Sequence, residues 1–207
     1  MIIVSDFDGT LTLDDVTTYI WDKYLDYDWR AKLLPPTYEG RQTPLQMIAQ
    51  GYADVRVPPK ELLADIRANT RMRPGVEALA TFCRGRGWHL AVVSHGLTFY
   101  IEALLPAWIP FTSFIGSFNE WSWRVTLPTT IVLGPGEDFK SRIVADLRAR
   151  HPGHQVAYIG DGRLDLAAAL TCDRIFAVAG SSLADLARVA GRTVEEFESL
   201  DEVAASL

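Results

Sequence analysis

Ile2-Ile3-Val4-Ser5-Asp6-Phe7-Asp8-Gly9-Thr10 is the stretch that decides the reading of this chain. A run of β-branched residues predicts a buried strand, and it stops at two carboxylates two positions apart. Residues i and i+2 of a strand share a face, so Asp6 and Asp8 are expected side by side. Two like charges that close repel unless a cation sits between them. A hard divalent cation such as Mg²⁺ suits oxygen ligands of this kind and leaves one carboxylate oxygen free to act as a nucleophile. Gly9 lets the backbone turn tightly, so that amides can point at an anion. Alone, the pentapeptide Asp6-Phe7-Asp8-Gly9-Thr10 also fits a plain strand followed by an acidic turn.

Three later segments add to it. Val92-Val93-Ser94-His95-Gly96 is an apolar run ending in a hydroxyl and a glycine. Lys140 opens a helical stretch after the turn Gly134-Pro135-Gly136. Ala157-Tyr158-Ile159-Gly160-Asp161-Gly162-Arg163-Leu164-Asp165 is another strand that ends in carboxylates. With Asp-x-Asp, Ser, Lys and Gly-Asp-x-x-x-Asp in this order, the chain resembles the phosphatases of the haloacid dehalogenase-like hydrolase superfamily. The general layout is most similar to the phosphoserine phosphatase-like branch. Val93–Ile101 and the tail 176–207 look like the methionine-salvage phosphatases, which act on a phosphorylated diketone or enol carrying a methylthio group.

The resemblance implies an α/β fold, a Rossmann-like doubly wound parallel sheet with a small inserted helical cap. The core is expected over residues 1–13 and 74–207 and the cap over 14–73. Phosphoryl transfer needs an in-line nucleophile, charge neutralisation and a proton for the leaving alkoxide. Asp6 is the expected nucleophile, forming an aspartyl-phosphate. Asp8 is the expected general acid and then the base for water, with its carbonyl on the metal. Asp6, Asp8, Asp161 and Asp165 form the expected metal set. Asp165 either holds a metal-bound water or orients Lys140, or is a helix N-terminal carboxylate favoured by the dipole. Lys140 is expected to neutralise the nucleophile and the transferring phosphoryl group.

Ser94 is expected on a phosphate oxygen, with Gly9 in the turn and the His95 and Gly96 amides at a helix N-terminus. The His95 side chain either faces the leaving group or is simply exposed. Asp15 stands where phosphoserine phosphatases carry a substrate-contacting carboxylate, and it equally fits a helix N-cap. Arg41 and Arg56 are off register for a cap arginine, which argues against an α-carboxylate substrate. A phosphomutase and a non-catalytic binding protein of the same fold are the alternatives.

Composition bounds the rest. The 207 residues suffice for a core and a small second unit. With 48% hydrophobic residues a packed core is expected. The net charge of −6 argues against nucleic acid as a partner, because phosphate backbones need basic patches. A small phosphorylated metabolite remains compatible, held by one lysine and a metal. Cys83 and Cys172 are too far apart for a thiol motif and read as free thiols of a reducing compartment. His89, His151 and His154 lack metal spacing and read as surface or packing residues. No apolar run spans a bilayer, and no signal peptide precedes the first strand. A cytoplasmic monomer or homodimer is the expectation.

Strands are expected at 2–7, 89–94, 111–118, 130–133, 156–160 and 174–178, alternating with helices begun by Val76, Phe99, Phe139 and Leu183. Pro74 suits the first turn of the helix at Val76. Trp121, Trp123 and Val125 alternate as in a small hairpin, and the tail 193–207 reads as a helix or strand on the core. Between Thr12 and Arg73, Pro35-Pro36 and Pro58-Pro59 predict breaks between short helices. Some of Tyr19, Trp21, Tyr24, Tyr27, Trp29, Tyr38 and Tyr52 are expected to line an apolar pocket and most to pack the helices.

Overall fold

The computed structural model describes residues 1–207. Its centre is a seven-stranded sheet in the order β4-β3-β2-β1-β5-β6-β7. The strands are β1 (Ile2–Ser5), β2 (His89–Leu97), β3 (Phe111–Phe118), β4 (Trp123–Thr126), β5 (Val156–Gly160), β6 (Arg174–Val178) and β7 (Glu195–Phe197). All pairs are parallel except β3 with β4. Strand β1 lies between β2 and β5, with Ile2 opposite both His89 and Val156. Ile2, Ile3 and Val4 are fully buried, as strands covered on both faces require.

Four helices separate β1 from β2: α1 (Val16–Tyr24), α2 (Trp29–Tyr38), α3 (Pro44–Ala53) and α4 (Pro59–Asn69). The others are α5 (Val76–Gly85), α6 (Thr98–Leu104), α7 (Phe139–Arg150), α8 (Leu166–Leu170), α9 (Ser182–Val189) and α10 (Leu200–Ser206). Several starts are written into the sequence. Asp15, Asp28 and Asp138 each accept a backbone N–H at an N-cap, and Thr43 with Gln46 closes a capping box. From β1 the chain reaches β2 on one side, and from the edge strand β4 it returns by α7 to β5 on the other. The order therefore reverses at β1 and β5, where open α/β sheets leave a crevice at their carboxyl ends.

Four expectations need correction. Residues 130–133 form a turn and irregular chain, not a strand. The sheet edge there is already taken by β4, and Val132 is 76% exposed with nothing to pack against. Pro35 and Pro36 lie inside α2 and do not break it. The carbonyls whose donors they remove belong to exposed Ala31 and Lys32, while buried Leu33 and Thr37 hold the other face. Pro74 lies outside α5, whose N-cap is Gly75 in a left-handed conformation. Strand β2 runs three residues past Ser94 to Leu97, with an irregularity in its pairing between them, so His95 and Gly96 are strand residues. The tail provides both a strand, β7, and a helix, α10.

Candidate active site

Asp6 and Asp8 follow β1, Ser94 lies near the carboxyl end of β2, Asp161 follows β5, and Lys140 is in the first turn of α7. These residues line one cavity of about 260 Å³, together with Asp15, His95, Gly96 and Asp165. Gly9 lies behind them. At φ 75° it adopts a backbone that favours glycine, and a Cβ there would come within 2.6 Å of Asp161 Oδ2.

Lys140, only 2% exposed, sits between two acids. Its Nζ donates to Asp165 Oδ1 at 2.6 Å and lies 2.7 Å from Asp6 Oδ1. The second contact is an ion pair that gives Asp6 Oδ1 no well-directed hydrogen bond. Burial works against the ammonium, but Asp165 and Asp6 outweigh it and raise its pKa. One lysine does not compensate three carboxylates. Burial, then the Asp165 charge, hold Asp6 well above the ordinary carboxylate range despite Lys140. The same two causes push Asp161 up to about 7. Burial and then Asp15 raise Asp8 to about 7, against the pull of Tyr100 and Ser94.

Asp165 is fully buried and fully engaged. It accepts from Lys140 and Tyr158 on Oδ1 and from the Asp161 and Gly162 amides on Oδ2. Those four bonds use the lone pairs of a carboxylate. The geometry thus matches the role of orienting Lys140 and leaves no lone pair for an ion. Asp6, Asp161 and Asp165 still bring carboxylate oxygens within 4.8 Å of one another. Asp6 Oδ1 and Asp8 Oδ1 are buried without a hydrogen-bond partner. Orphaned, crowded, hard oxygen atoms fit a small divalent cation, with Asp6 and Asp161 as its side-chain ligands.

Ser94 Oγ accepts the Gly96 N–H at 2.8 Å and donates to Asp8 Oδ2 at 3.2 Å. His95 is buried, not exposed, between Phe114 and Phe139, with ring centroids 5.3 and 5.8 Å away. Burial and then Lys140 lower its pKa well below the usual value, so it is a neutral imidazole whose Nε2 has no partner. Asp15 caps α1 through the Thr18 N–H at 2.6 Å and also stands exposed at the cavity mouth. The N-cap expectation holds, and the carboxylate also lines the cavity.

Sequence reasoning passed over several groups. Thr10 donates to Asp161 Oδ1 at 2.7 Å, and buried Arg73 donates to the carbonyls of Gly9 and Thr10, fixing the loop. Tyr100 donates to Asp8 Oδ2 at 2.7 Å. Thr10 adjoins Gly9 and could have been found; Tyr100 is brought in only by the extension of β2. Trp21, Trp29 and Tyr38 line the cavity with Leu34, Met47 and Ile48. Tyr19, Tyr24 and Tyr27 instead bond Asp65 and Asp54, and Tyr52 packs on Trp21. Arg41 pairs with Glu39 and Arg56 bonds the Trp121 carbonyl, so neither faces the cavity. His89, His151 and His154 pack on one another at the opposite, amino-terminal edge of the sheet. Cys83 and Cys172 are buried free thiols. No helix is long and apolar enough to cross a membrane.

The model of the family described as haloacid dehalogenase-like hydrolase matches residues 3–170. A polyol phosphate phosphatase of Saccharomyces cerevisiae is 24% identical over 226 residues, covering all of this chain and 92% of its own. A 2-hydroxy-3-keto-5-methylthiopentenyl-1-phosphate phosphatase of Geobacillus kaustophilus is 28% identical, over 86% of this chain and 82% of that one. Among solved structures, a substrate-bound phosphoserine phosphatase superposes with a TM-score of 0.77 at 15% identity, covering 100% and 97% of the two chains. That likeness shows the fold.

Proposed function

This chain belongs to the haloacid dehalogenase-like hydrolase family, and on that premise we propose that it is a Mg²⁺-dependent phosphatase of a small phosphomonoester, working through an aspartyl-phosphate on Asp6. The observation that carries the reading is the set of buried Asp6, Asp8 and Lys140 with half-buried Asp161, with carboxylate oxygens that lack a directed hydrogen bond, at the sheet's switch point and open to one cavity. We assign residues 1–13 and 74–207 to a core and 14–73 to a cap over it. A cytoplasmic setting suits the free thiols.

Asp6 attacks phosphorus while the bond to the leaving oxygen breaks, and that oxygen keeps the bonding pair. Asp8 supplies its proton. Asp8 then takes a proton from water, the oxygen of which attacks phosphorus and releases Asp6 and inorganic phosphate. Lys140, aimed by Asp165, favours the ionised form of Asp6 and meets the charge of the transferring group. Ser94 turns its hydroxyl to a phosphate oxygen. Asp6, Asp161 and the Asp8 carbonyl would hold a divalent cation, which when bound would supply charge neutralisation for the nucleophile and the phosphoryl group.

The organic part of the substrate meets Trp21, Trp29, Leu34, Met47 and Ile48. The cavity's only cations are Lys140, already committed, and exposed Arg163, stacked over Tyr38. A neutral, partly apolar leaving group fits that wall better than an amino acid. The phosphorylated methylthio-ketone class named for the Geobacillus relative is therefore preferred over phosphoserine, with polyol phosphates next.

The test is phosphate release from a panel of these esters and p-nitrophenyl phosphate, with and without Mg²⁺, for wild type and Asp6→Asn. Metal-dependent release lost by at least about a thousandfold in the variant is expected. Equal release by Asp6→Asn overturns the nucleophile, and no release by wild type overturns the phosphatase.

A further inference from the structure

Asp8 carries two kinds of oxygen. Oδ2 accepts from Tyr100 at 2.7 Å and from Ser94 at 3.2 Å. Oδ1 is buried with no partner at all. The first of these contacts exists because residue 96 is glycine. A Cβ built there would stand 1.9 Å from the Tyr100 hydroxyl oxygen and 2.3 Å from Asp8 Oδ2. Tyr100 is itself fully buried, and so is Tyr52. Thr17 Oγ1, on α1, lies 3.3 Å from the Tyr100 hydroxyl and 3.4 Å from that of Tyr52, on α3.

The direction of this chain follows by elimination. A carboxylate oxygen accepts, so the Tyr100 proton goes to Asp8. The Thr17 proton then goes to Tyr100, and Thr17 accepts from Tyr52. The links to Thr17 are longer than a good hydroxyl pair, so Tyr100 to Asp8 is the strong contact and the cap's grip on it is looser.

Resting on the function proposed above, we propose that Tyr100 is a positioning residue for leaving-group protonation, and that Thr17 and Tyr52 tie this role to the cap. With Oδ2 held by Tyr100, and by Ser94 until a phosphate oxygen takes that hydroxyl, the acid proton resides on Oδ1. It passes from Oδ1 to the leaving oxygen as the phosphorus–oxygen bond breaks, and the carboxylate left behind keeps the bond donated by Tyr100 on Oδ2. Thr17 and Tyr52 fix the Tyr100 hydroxyl only when α1 and α3 lie against the core. The acid is thus aligned when the site is covered.

A leaving group that departs without a proton gives the readout. p-Nitrophenolate is stable as an anion, whereas an alkoxide is not. For Tyr100→Phe, kcat/KM for the alkyl phosphomonoester that wild type hydrolyses fastest should fall about 10- to 100-fold further than for p-nitrophenyl phosphate, part of the range general acids supply. Thr17→Val should show the same preference at a smaller factor. Competitive inhibition by inorganic phosphate reports whether each variant retains a formed site. Equal losses on both substrates, or no loss on either, overturn the proposal. If Tyr100→Phe does not fold, Thr17→Val decides by the same criterion. Absence of turnover by wild type itself marks failure of the phosphatase reading, and this inference falls with it.

Discussion

The carboxyl edge of the sheet and the four helices inserted after β1 handle charge in opposite ways. At the edge, Asp6, Asp8, Lys140 and Asp165 are buried; Asp8 Oδ1 has no partner, and Asp6 Oδ1 has only its ion pair with Lys140. In the insertion, Asp22 pairs with Arg30 and Asp65 with Lys23 near the surface, while the interior is built from Trp21, Trp29 and Tyr52. Burial raises the acids of the edge. The hydrogen bonds from Arg30 lower Asp22; for Asp65 a slight burial penalty is outweighed by Lys23, Tyr24 and Tyr19. The edge therefore crowds buried carboxylates together, whereas the insertion pairs its charged groups and leaves only the neutral Trp21 Nε1 buried without a partner. A buried acid beside an unpaired oxygen marks chemistry more reliably than an ion pair on a helix surface.

Lys140→Ala separates the two regions most sharply. It leaves Asp6 and Asp165 buried without their cation, which costs about 3–5 kcal/mol by analogy with other broken buried pairs. The thermal midpoint should fall well below wild type and recover in part with added Mg²⁺, and activity should be lost. A midpoint unchanged in metal-free buffer would contradict the ion-pair account.

The next effect is on pH and is specific in sign. In a chelator, Asp8 and Asp161 keep protons in the folded state between the ordinary carboxylate pKa near 4 and about 7, and burial shifts Asp6 in the same direction. The folded form binds more protons there, so stability declines as pH rises through that window and is level above it. Lowered acids such as Asp22 act oppositely: their contribution is present above the ordinary pKa and is lost as pH falls below it. Thermal melts of metal-free protein should thus show an optimum near pH 4 to 5. The rise in midpoint given by Mg²⁺ should grow towards pH 7, where its ligands are ionised. A Mg²⁺ effect that is the same at pH 5 and pH 8 would break this part of the comparison.

Gly51→Ala probes the insertion alone. A Cβ at Gly51 would meet the Trp21 ring at 2.3 Å, so the cap must shift, at about 1–3 kcal/mol for an overpacked core. The loss should be independent of Mg²⁺ and of pH between 5 and 8. The smallest effect belongs to Lys23→Met, which removes an exposed partner of Asp65; its thermal midpoint at moderate salt should match wild type within error.

Much of the edge was legible because Asp6, Asp8 and Asp161 follow strands whose own side chains specify them. Ile2–Val4 and Val156–Ile159 are buried in any parallel sheet, so Asp6 and Asp161 must emerge where those strands stop. Strand ends were less legible: β2 carries on through His95 and Gly96 because pairing with β3 resumes at Leu97. For His95 the sequence left both a side chain facing the leaving group and an exposed one open; it is buried because Phe114 and Phe139 arrive from β3 and α7. The prolines of α2 misled because local propensity was read without the buried Leu33 and Thr37 that hold the helix.

By itself, then, the sequence determined the alternation of strands and helices, the order of Asp6, Ser94, Lys140 and Asp161, and the chemistry their types permit, since periodicity and strand ends are local properties. Tertiary structure alone decided that Asp165 is saturated by Lys140, Tyr158 and two amides, and that Tyr100 reaches Asp8 through the space left by Gly96. It also decided which aromatics face the cavity. Those are contacts between residues distant along the chain, and they are set by how β1, β2, β5 and the cap helices pack, which local propensity does not encode.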